Sequence, residues 1–423
     1  MSHRASQGLV SSYDDVWLVD GVRTAFADYN GVLGGISPID LGIKVARELF
    51  ARSRISPADV GSVIAGSMAQ ASYDAYMLPR HIGIYSGVPL ATPAMLVQRV
   101  CGTGIETIIQ AGDAIKLGKI NLGLCVGAES MTRNPVAAYT HRGGFAMGKV
   151  EFRDFLWEAL LDPSANCTMG QTAENVARKF DISRADVDQF AADSFERALA
   201  AQSSGFLAGE ITAVTNETFE LAGYLPRGIA LPRKVTGFST DNHVRPSPLD
   251  ILSKLKPVFG GVQTAGTSSG VVDGAAAALV ASGNYVREQG VKPLARVVAG
   301  VSIGVPPEIM GVGPIPAIRR LLEVANLKLA DIDRFEINEA FGAQCLACER
   351  ELGIDHAKLN VNGGAIAIGH PLAATGVRLT VTVARELQRS GKRYGIASAC
   401  IGGGQGIALL VENTPSKIPR GSA

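Results

Sequence analysis

The sequence carries no excess charge of either sign: across 423 residues, 40 Lys and Arg face 39 Asp and Glu, and no long single-sign run interrupts them. Without a basic surface field there is no global attraction to nucleic acid or to an anionic membrane, so an anionic ligand must be held by a local site. The opening MSHRASQGLVSSYDD lacks the apolar stretch of about 7 to 15 residues that a signal peptide needs. Nor is there a run of about 18 apolar residues long enough to span a bilayer. The expectation is a cytoplasmic protein with no membrane insertion and no nucleic-acid partner. Six cysteines (Cys101, Cys125, Cys167, Cys345, Cys348, Cys400) are too sparse for the disulfide framework of a small secreted domain, which predicts free thiols. Neither G-x-x-x-x-G-K-[ST] nor a G-x-G-x-x-G after the first strand is present, and CGTGIETI resembles the latter only superficially. Nucleotide-phosphate cradling of these two kinds is therefore unsupported.

What is there is apolar residue and glycine. A chain that is 47% hydrophobic and this long fills two or three packed units, since single cores stop growing at about 250 to 300 residues. Its 49 glycines cluster after apolar runs. Val16 to Val19 leading to DGVR, and Val63 to Ala65 leading to GSMAQ, read as strands ending in tight turns. Amphipathic stretches at Asp40 to Ala51 and Gly104 to Leu117 lie between such runs, which predicts an α/β architecture with partly parallel sheets. The two ends of the chain run in the same order of strands and helices: VWLVDGVRTAF, VGSVIAGSMAQ, AMLVQRVCGTGIETI and INLGLCVGAES first, then ARVVAGVSIG, IDRFEINEAFGAQ, LNVNGGAIAIGHPLAATGVRL and YGIASACIGGGQGIALLVEN. The expectation is two similar α/β halves, residues 1–130 and 261–423. Between them, residues 131–260 lose the rhythm and form an inserted cap or a linker region.

Cys101 follows AMLVQRV and precedes GTGIETIIQAGDAIKLG, placing it where a strand turns into a helix N-terminus. Unpaired amides and the helix dipole favour a thiolate there and lower the thiol pKa. The bland alternative is a small buried hydrophobe. Cys400 occupies the matching place in the other half, after IASA and before a glycine turn that lets backbone amides approach a ligand. His370, among small residues in NGGAIAIGHPLAATG, suits a base near neutral pH, or else a turn histidine bonded to a carbonyl. Asn338, in NEAF with Glu339, either caps the next helix or offers an amide that fixes a water or an oxyanion. Cys345 and Cys348 form a C-x-x-C with no second pair, on a helix face that predicts buried packing rather than a metal site. Met169 opens a helix whose first turn suits Thr172 and Glu174, with packing as its default role.

Taken jointly, VQRVCGTGIETI, GAESMTR, MGQTAENVA, TAGTSSGVVDGAAA, NEAFGAQ, NGGAIAIGHPLAATG and CIGGGQG resemble the thiolase family, in the family's order, over nearly the whole chain. The resemblance implies a thiolase fold: two similar βαβαβ-type halves in a layered α/β/α/β/α body, with the inserted segment, whose end rejoins the first half, covering an acyl-coenzyme A pocket. It also implies a homotetramer built from dimers, or a homodimer. By the family's pattern Cys101 attacks the thioester or keto carbon, His370 takes its proton, and Cys400 exchanges a proton with the α-carbon. One oxyanion site lies near His370 and a water held by Asn338, and the other at the backbone amides of Cys101 and Gly402. Coenzyme A and acyl-coenzyme A are substrates, with no metal or redox cofactor implied, and Met169, Arg245, Ser269 and Phe341 resemble their pocket.

Departures touch the pocket wall. The family usually has Asn at Gln98, Ser at Thr103, Asn-Ala at Thr267 and Ser268, and Gly at Ala373, while many short-chain biosynthetic members carry His at Thr168. The segment RNPVAAYTHRGGFAMGKVEFRDFLWEALLDP, with Phe155 and Trp157, is expected to shape the acyl tunnel. Two rival readings make definite demands. A ketosynthase-like condensing enzyme pairs one cysteine with two histidines or with histidine and asparagine, and CIGGGQG puts a cysteine where it needs none. A non-catalytic acyl-coenzyme A or lipid-binding relative predicts loss of at least one catalytic residue. Chain length, direction of reaction and the need for a partner subunit are not written in the residues.

Overall fold

The computed structural model describes residues 8–68, 74–138 and 143–414. The opening heptapeptide, the end of GSMAQ and four residues of the expected tunnel segment thus lie outside the described residues. The first part of the chain runs β1 (Leu9–Thr24), α1 (Pro38–Ser53), β2 (Ser62–Gly66), α2 (Leu78–Tyr85), β3 (Ala94–Leu96), α3 (Thr103–Lys116) and β4 (Leu122–Glu129). The middle carries α4 (Phe155–Ala159), a small hairpin of β5 (Leu161–Asp162) and β6 (Cys167–Thr168), α5 (Met169–Lys179) and α6 (Arg184–Ser203). Then come β7 (Val272–Ser282), β8 (Ala295–Gly304), α7 (Pro314–Ala325), β9 (Arg334–Ile337), α8 (Gly342–Leu352), α9 (Leu372–Ser390), β10 (Tyr394–Ile401) and β11 (Gln405–Glu412).

The main sheet has the order β9-β10-β11-β8-β1-β7-β4-β2-β3. Its middle is the antiparallel pair β1 and β8. Outward from β1 the pairings are antiparallel to β7, antiparallel to β4 and parallel to β2. Outward from β8 they are antiparallel to β11, antiparallel to β10 and parallel to β9. From the centre the first half runs β1, β7, β4, β2 and the second β8, β11, β10, β9, matching strand for strand apart from the short edge strand β3, the repeat that the two ends of the sequence foreshadow. Strand β7 shows how the layers arise. Its side chains alternate: Ala275, Ala277, Leu279 and Ala281 enter one core, with α1 and α2, while Ala276, Ala278 and Val280 enter the other, with α3 and α9. Helix α9 is buried on every side from Leu372 to Ala384 and touches α3 and strands of both halves, as a helix in the central layer must.

Three local expectations need correction. The first strand does not end at DGVR; it continues to Thr24 through a bulge between Leu18 and Asp20. The polar residues that read as a turn have partners inside the protein: Arg23 is buried between Glu210 (2.7 Å) and Asp241 (2.7 Å). The strand before Cys101 stops at Leu96, and a short 3₁₀ turn, Val100–Gly102, feeds α3 instead. The middle segment is no structureless linker, since it holds α5 and the 20-residue α6. Both of those helices open with a capping box, at Thr168 and Gln171 and at Ser183 and Asp186, a signal present in the sequence.

Candidate active site

Two buried helices of the central layer aim the chemistry. Helix α3 follows Cys101 and α9 follows His370, and the two cross where neither tolerates a side chain. A Cβ on Gly104 would lie 2.5 Å from the Val377 amide, and one on Gly376 would lie 2.3 Å from that of Ile105. These glycines let two backbones touch and bring the starts of both helices to one place. Just before Cys101, Val100 has a φ of +43°, a left-handed conformation that costs a β-branched residue about 1–3 kcal/mol. Thr103 holds the bend: its hydroxyl donates to the Val100 carbonyl (2.7 Å) and accepts from the Arg99 amide (2.9 Å). The hydroxyl usual in the family is thus retained, with an added methyl.

Cys101 forms part of the floor of a cleft of about 420 Å³ that is also lined by Met169, Arg245, Ser269, Phe341 and His370. A second cavity of about 230 Å³ opens on its other side, where Gly402 forms part of the wall. Cys101, Leu160, Met169 and Leu372 belong to both. Cys400 lies behind Phe341, Met310 and Ala340, fully buried.

The electrostatics overturn one expectation. Helix-start amides were expected to make Cys101 an acidic thiol, yet burial pushes it up to about 11, against the pull of the Gly402 and Cys101 amides. Desolvation outweighs the dipole because the sulfur sits in a pocket of Met68, Met131, Leu156 and Leu372. Burial also drives Cys400 well above the ordinary thiol range, with Cys101 adding to it. Burial, helped by the Arg378 guanidinium, pulls His370 down to about 3, so the imidazole is neutral. Its tautomer follows from its neighbours. The Thr375 hydroxyl lies 2.6 Å from Nδ1 and 3.2 Å from the Pro371 carbonyl. Donating to that carbonyl, the hydroxyl accepts from Nδ1–H, which leaves Nε2 as a lone-pair acceptor 3.3 Å from Asn338 Nδ2. Asn338 is therefore no helix cap, since α8 starts after Phe341. Its Oδ1 is buried with no protein partner among the described residues, a place for a donor such as a water.

Two buried carboxylates hold this geometry. Glu129 accepts from the Ser67 hydroxyl (2.9 Å) and from the amides of Met68 (2.8 Å) and Ala373 (3.1 Å), tying β2 and β4 to the start of α9. Glu339 accepts from Ser194 (2.7 Å), Asn360 (2.8 Å) and the Ile366 amide (3.1 Å), locking the Asn338 turn to the segment that leads to His370. Glu129 and Thr375 lay in plain view in GAESMTR and HPLAATG, but nothing in their spacing announced their partners. His243, also on the cleft wall and 2.6 Å from Asp28, carried no sequence signal. Arg245 sits at the exposed edge of the cleft, its guanidinium 5.6 Å from the Phe195 ring. Trp157 lines the larger cleft, whereas Phe155 lines neither cavity. Cys345 and Cys348 are buried, all six cysteines are free, and no group of three or more metal-ligating side chains occurs among the described residues. No helix among them is long and apolar enough to cross a membrane.

A buried thiol and a neutral imidazole on one cleft, with a second thiol packed behind its Phe341 wall, fit a cysteine-dependent transferase of layered α/β fold. Known proteins sharpen this. Residues 16–284 match the family model described as thiolase, N-terminal domain, and residues 291–413 that described as thiolase, C-terminal domain. The mitochondrial 3-ketoacyl-CoA thiolase of Bos taurus is 41% identical over 94% of this chain and 98% of its own. The beta-ketoadipyl-CoA thiolase of Acinetobacter baylyi is 42% identical over 94% of this chain and 98% of its own. The crystal structure of human mitochondrial 3-ketoacyl-CoA thiolase in complex with CoA superposes with a TM-score of 0.89 at 39% identity, covering 96% of this chain and 100% of that one. The chain belongs to the thiolase family, and it is an enzyme with thiolase acyltransferase activity.

Proposed function

We propose that this protein cleaves 3-ketoacyl-CoA with CoA, and runs the reverse condensation, through an acyl group carried on Cys101. The observation that carries the reading is the convergence of Cys101 and His370 on one cleft, with Nε2 left as the lone-pair nitrogen by Thr375. Cys101 attacks the keto carbon while its proton passes to His370 Nε2. Burial disfavours either charge alone, so proton transfer and carbon–sulfur bond formation proceed together. The bond between the α and keto carbons then breaks, and its electron pair becomes the enolate of the departing acetyl thioester, which takes a proton from Cys400. Incoming CoA gives its thiol proton to Cys400 and attacks the acyl group, and Cys101 leaves with the proton held on His370. The developing oxyanions are stabilised at the amides of Cys101 and Gly402 and at a water between Asn338 and His370.

In this reading Met169, Arg245, Ser269 and Phe341 hold the CoA arm in the larger cleft, with Arg245 at the adenine end, and the acyl chain enters the smaller cavity. Room beyond an acetyl group there supports cleavage of longer chains. The chain divides, on the same reading, into segments 1–130, 131–260 and 261–423, with β7 returned to the sheet of the first half. A homotetramer or homodimer is supported by apolar side chains exposed on the middle segment, Met147, Val150 and Phe152, and by the open edge of β3, where Met95 is exposed. Free thiols support a cytoplasmic setting. Purified protein mixed with CoA and 3-ketoacyl-CoA of increasing length should consume the enolate absorbance, fastest with chains longer than four carbons; a strict preference for the four-carbon substrate would overturn the assignment of the smaller cavity to longer acyl chains.

A further inference from the structure

The smaller cavity has a wall that is apolar with one charged exception. Met68, Val100, Leu161, Pro163 and Leu372 contribute hydrocarbon surface, and Asp162 is the one acidic residue on the wall. Asp162 ends strand β5 of the small hairpin in the middle segment and is 7% exposed. Its Oδ1 accepts from the amides of Ser164 (2.8 Å) and Ala165 (3.1 Å), which fixes the side chain in place. Among the described residues no lysine, arginine or histidine lines this cavity.

We infer that Asp162 makes the acyl cavity selective against acyl chains ending in a carboxylate, so that the substrates of this protein are 3-ketoacyl thioesters with an uncharged tail. This deepens the reading above and rests on its assignment of the smaller cavity to the acyl chain. A carboxylate carried on Cys101 would share the same small, apolar-walled space with Asp162, with no cation among the described lining residues. Like charges in such a setting repel far more strongly than in solvent. An apolar chain meets the hydrocarbon wall and passes the carboxylate without a charge to place. Discrimination by an unfavourable contact against the wrong substrate is the cheapest route to specificity where apolar contacts alone differ little.

The test compares 3-ketoacyl-CoA substrates of six and eight carbons whose far end is either a carboxylate or the isosteric carboxamide. Within each pair only the charge differs. The wild type should favour the carboxamide in kcat/KM by about tenfold or more. In Asp162→Asn, which keeps the Oδ1 acceptor for Ser164 and Ala165, the preference should collapse towards one. Equal use of both members by the wild type, or a preference unchanged in the variant, overturns the inference while leaving the reaction intact. Should that variant fail to fold, Asp162→Ser, which also keeps a side-chain acceptor for the Ser164 and Ala165 amides, takes its place in the comparison. Absence of turnover with every substrate, and of any acyl adduct on Cys101, overturns the reading underneath and the inference with it.

Discussion

At the scale of single residues, the site is a set of buried groups whose charges are suppressed until substrate arrives. Thr375 fixes which nitrogen of His370 is free, so Thr375→Val should lower kcat by about 10- to 100-fold with little change in KM, while Thr375→Ser restores it. With His370 near 3 and Cys101 near 11, both stand uncharged in the free enzyme at neutral pH. The rate of Cys101 acylation at low substrate should therefore be level between about pH 5 and 9, without the rise through 6.5 that an ordinary histidine base would impose. Cys101, Cys400 and His370 stood out as candidates in the sequence because each sits in a glycine-flanked break between apolar runs. The thiol pKa was not, because the helix dipole is a local property visible in CGTG, whereas the desolvation that outweighs it comes from Met68, Met131, Leu156 and Leu372, spread along the chain. Asn338 looked like a helix cap for a similar reason, since its partner, His370, lies 32 residues away.

At the scale of elements, catalytic geometry is set by how closely α3 and α9 approach. Gly376→Ala forces a methyl against the Ile105 amide and should cost about 1–3 kcal/mol or more in denaturant unfolding, with a fall in kcat because Cys101 and His370 ride on the two helices. Gly209→Ala, where open space surrounds the added carbon, should change neither. Helices α1 and α3 were readable to within two residues from their apolar periodicity, since Asp40 to Ala51 and Gly104 to Leu117 fall almost wholly within them. The extent of β1 was not readable, because Asp20 and Arg23 look like turn residues until Asp241 and Glu210 are brought against Arg23. The same holds for the middle segment: its apolar residues pack against distant partners, so α6 has little amphipathic pattern of its own to announce it, although its capping box does.

At the scale of the whole molecule, the repeat in the sheet places two similar helix starts face to face, and the middle segment walls the space between them. Enclosing the site this deeply has a consequence for stability. The folded protein holds His370 neutral down to about 3, whereas the unfolded chain binds a proton near 6.5, so between these values unfolding takes up a proton and stability falls as pH drops. His370→Asn removes that linkage, and its denaturation midpoint relative to the wild type should improve steadily as pH is lowered from 6.5. The repeat was legible because glycine-punctuated segments recur in order at both ends, while the return of the chain to the first half's sheet was implied only by the resemblance, and the strand that makes it, β7, falls beyond the boundary expected at residue 260. The central claim is the division of labour between the two cysteines, and intact-protein mass spectrometry after mixing with a 3-ketoacyl-CoA tests it most directly. With a 3-ketoacyl-CoA, wild-type Cys101 should carry an acyl adduct and neither variant should; with an acyl-CoA donor instead, Cys400→Ala should still form the adduct and Cys101→Ala should not, and equal loss of the donor-derived adduct in both variants would contradict the assignment.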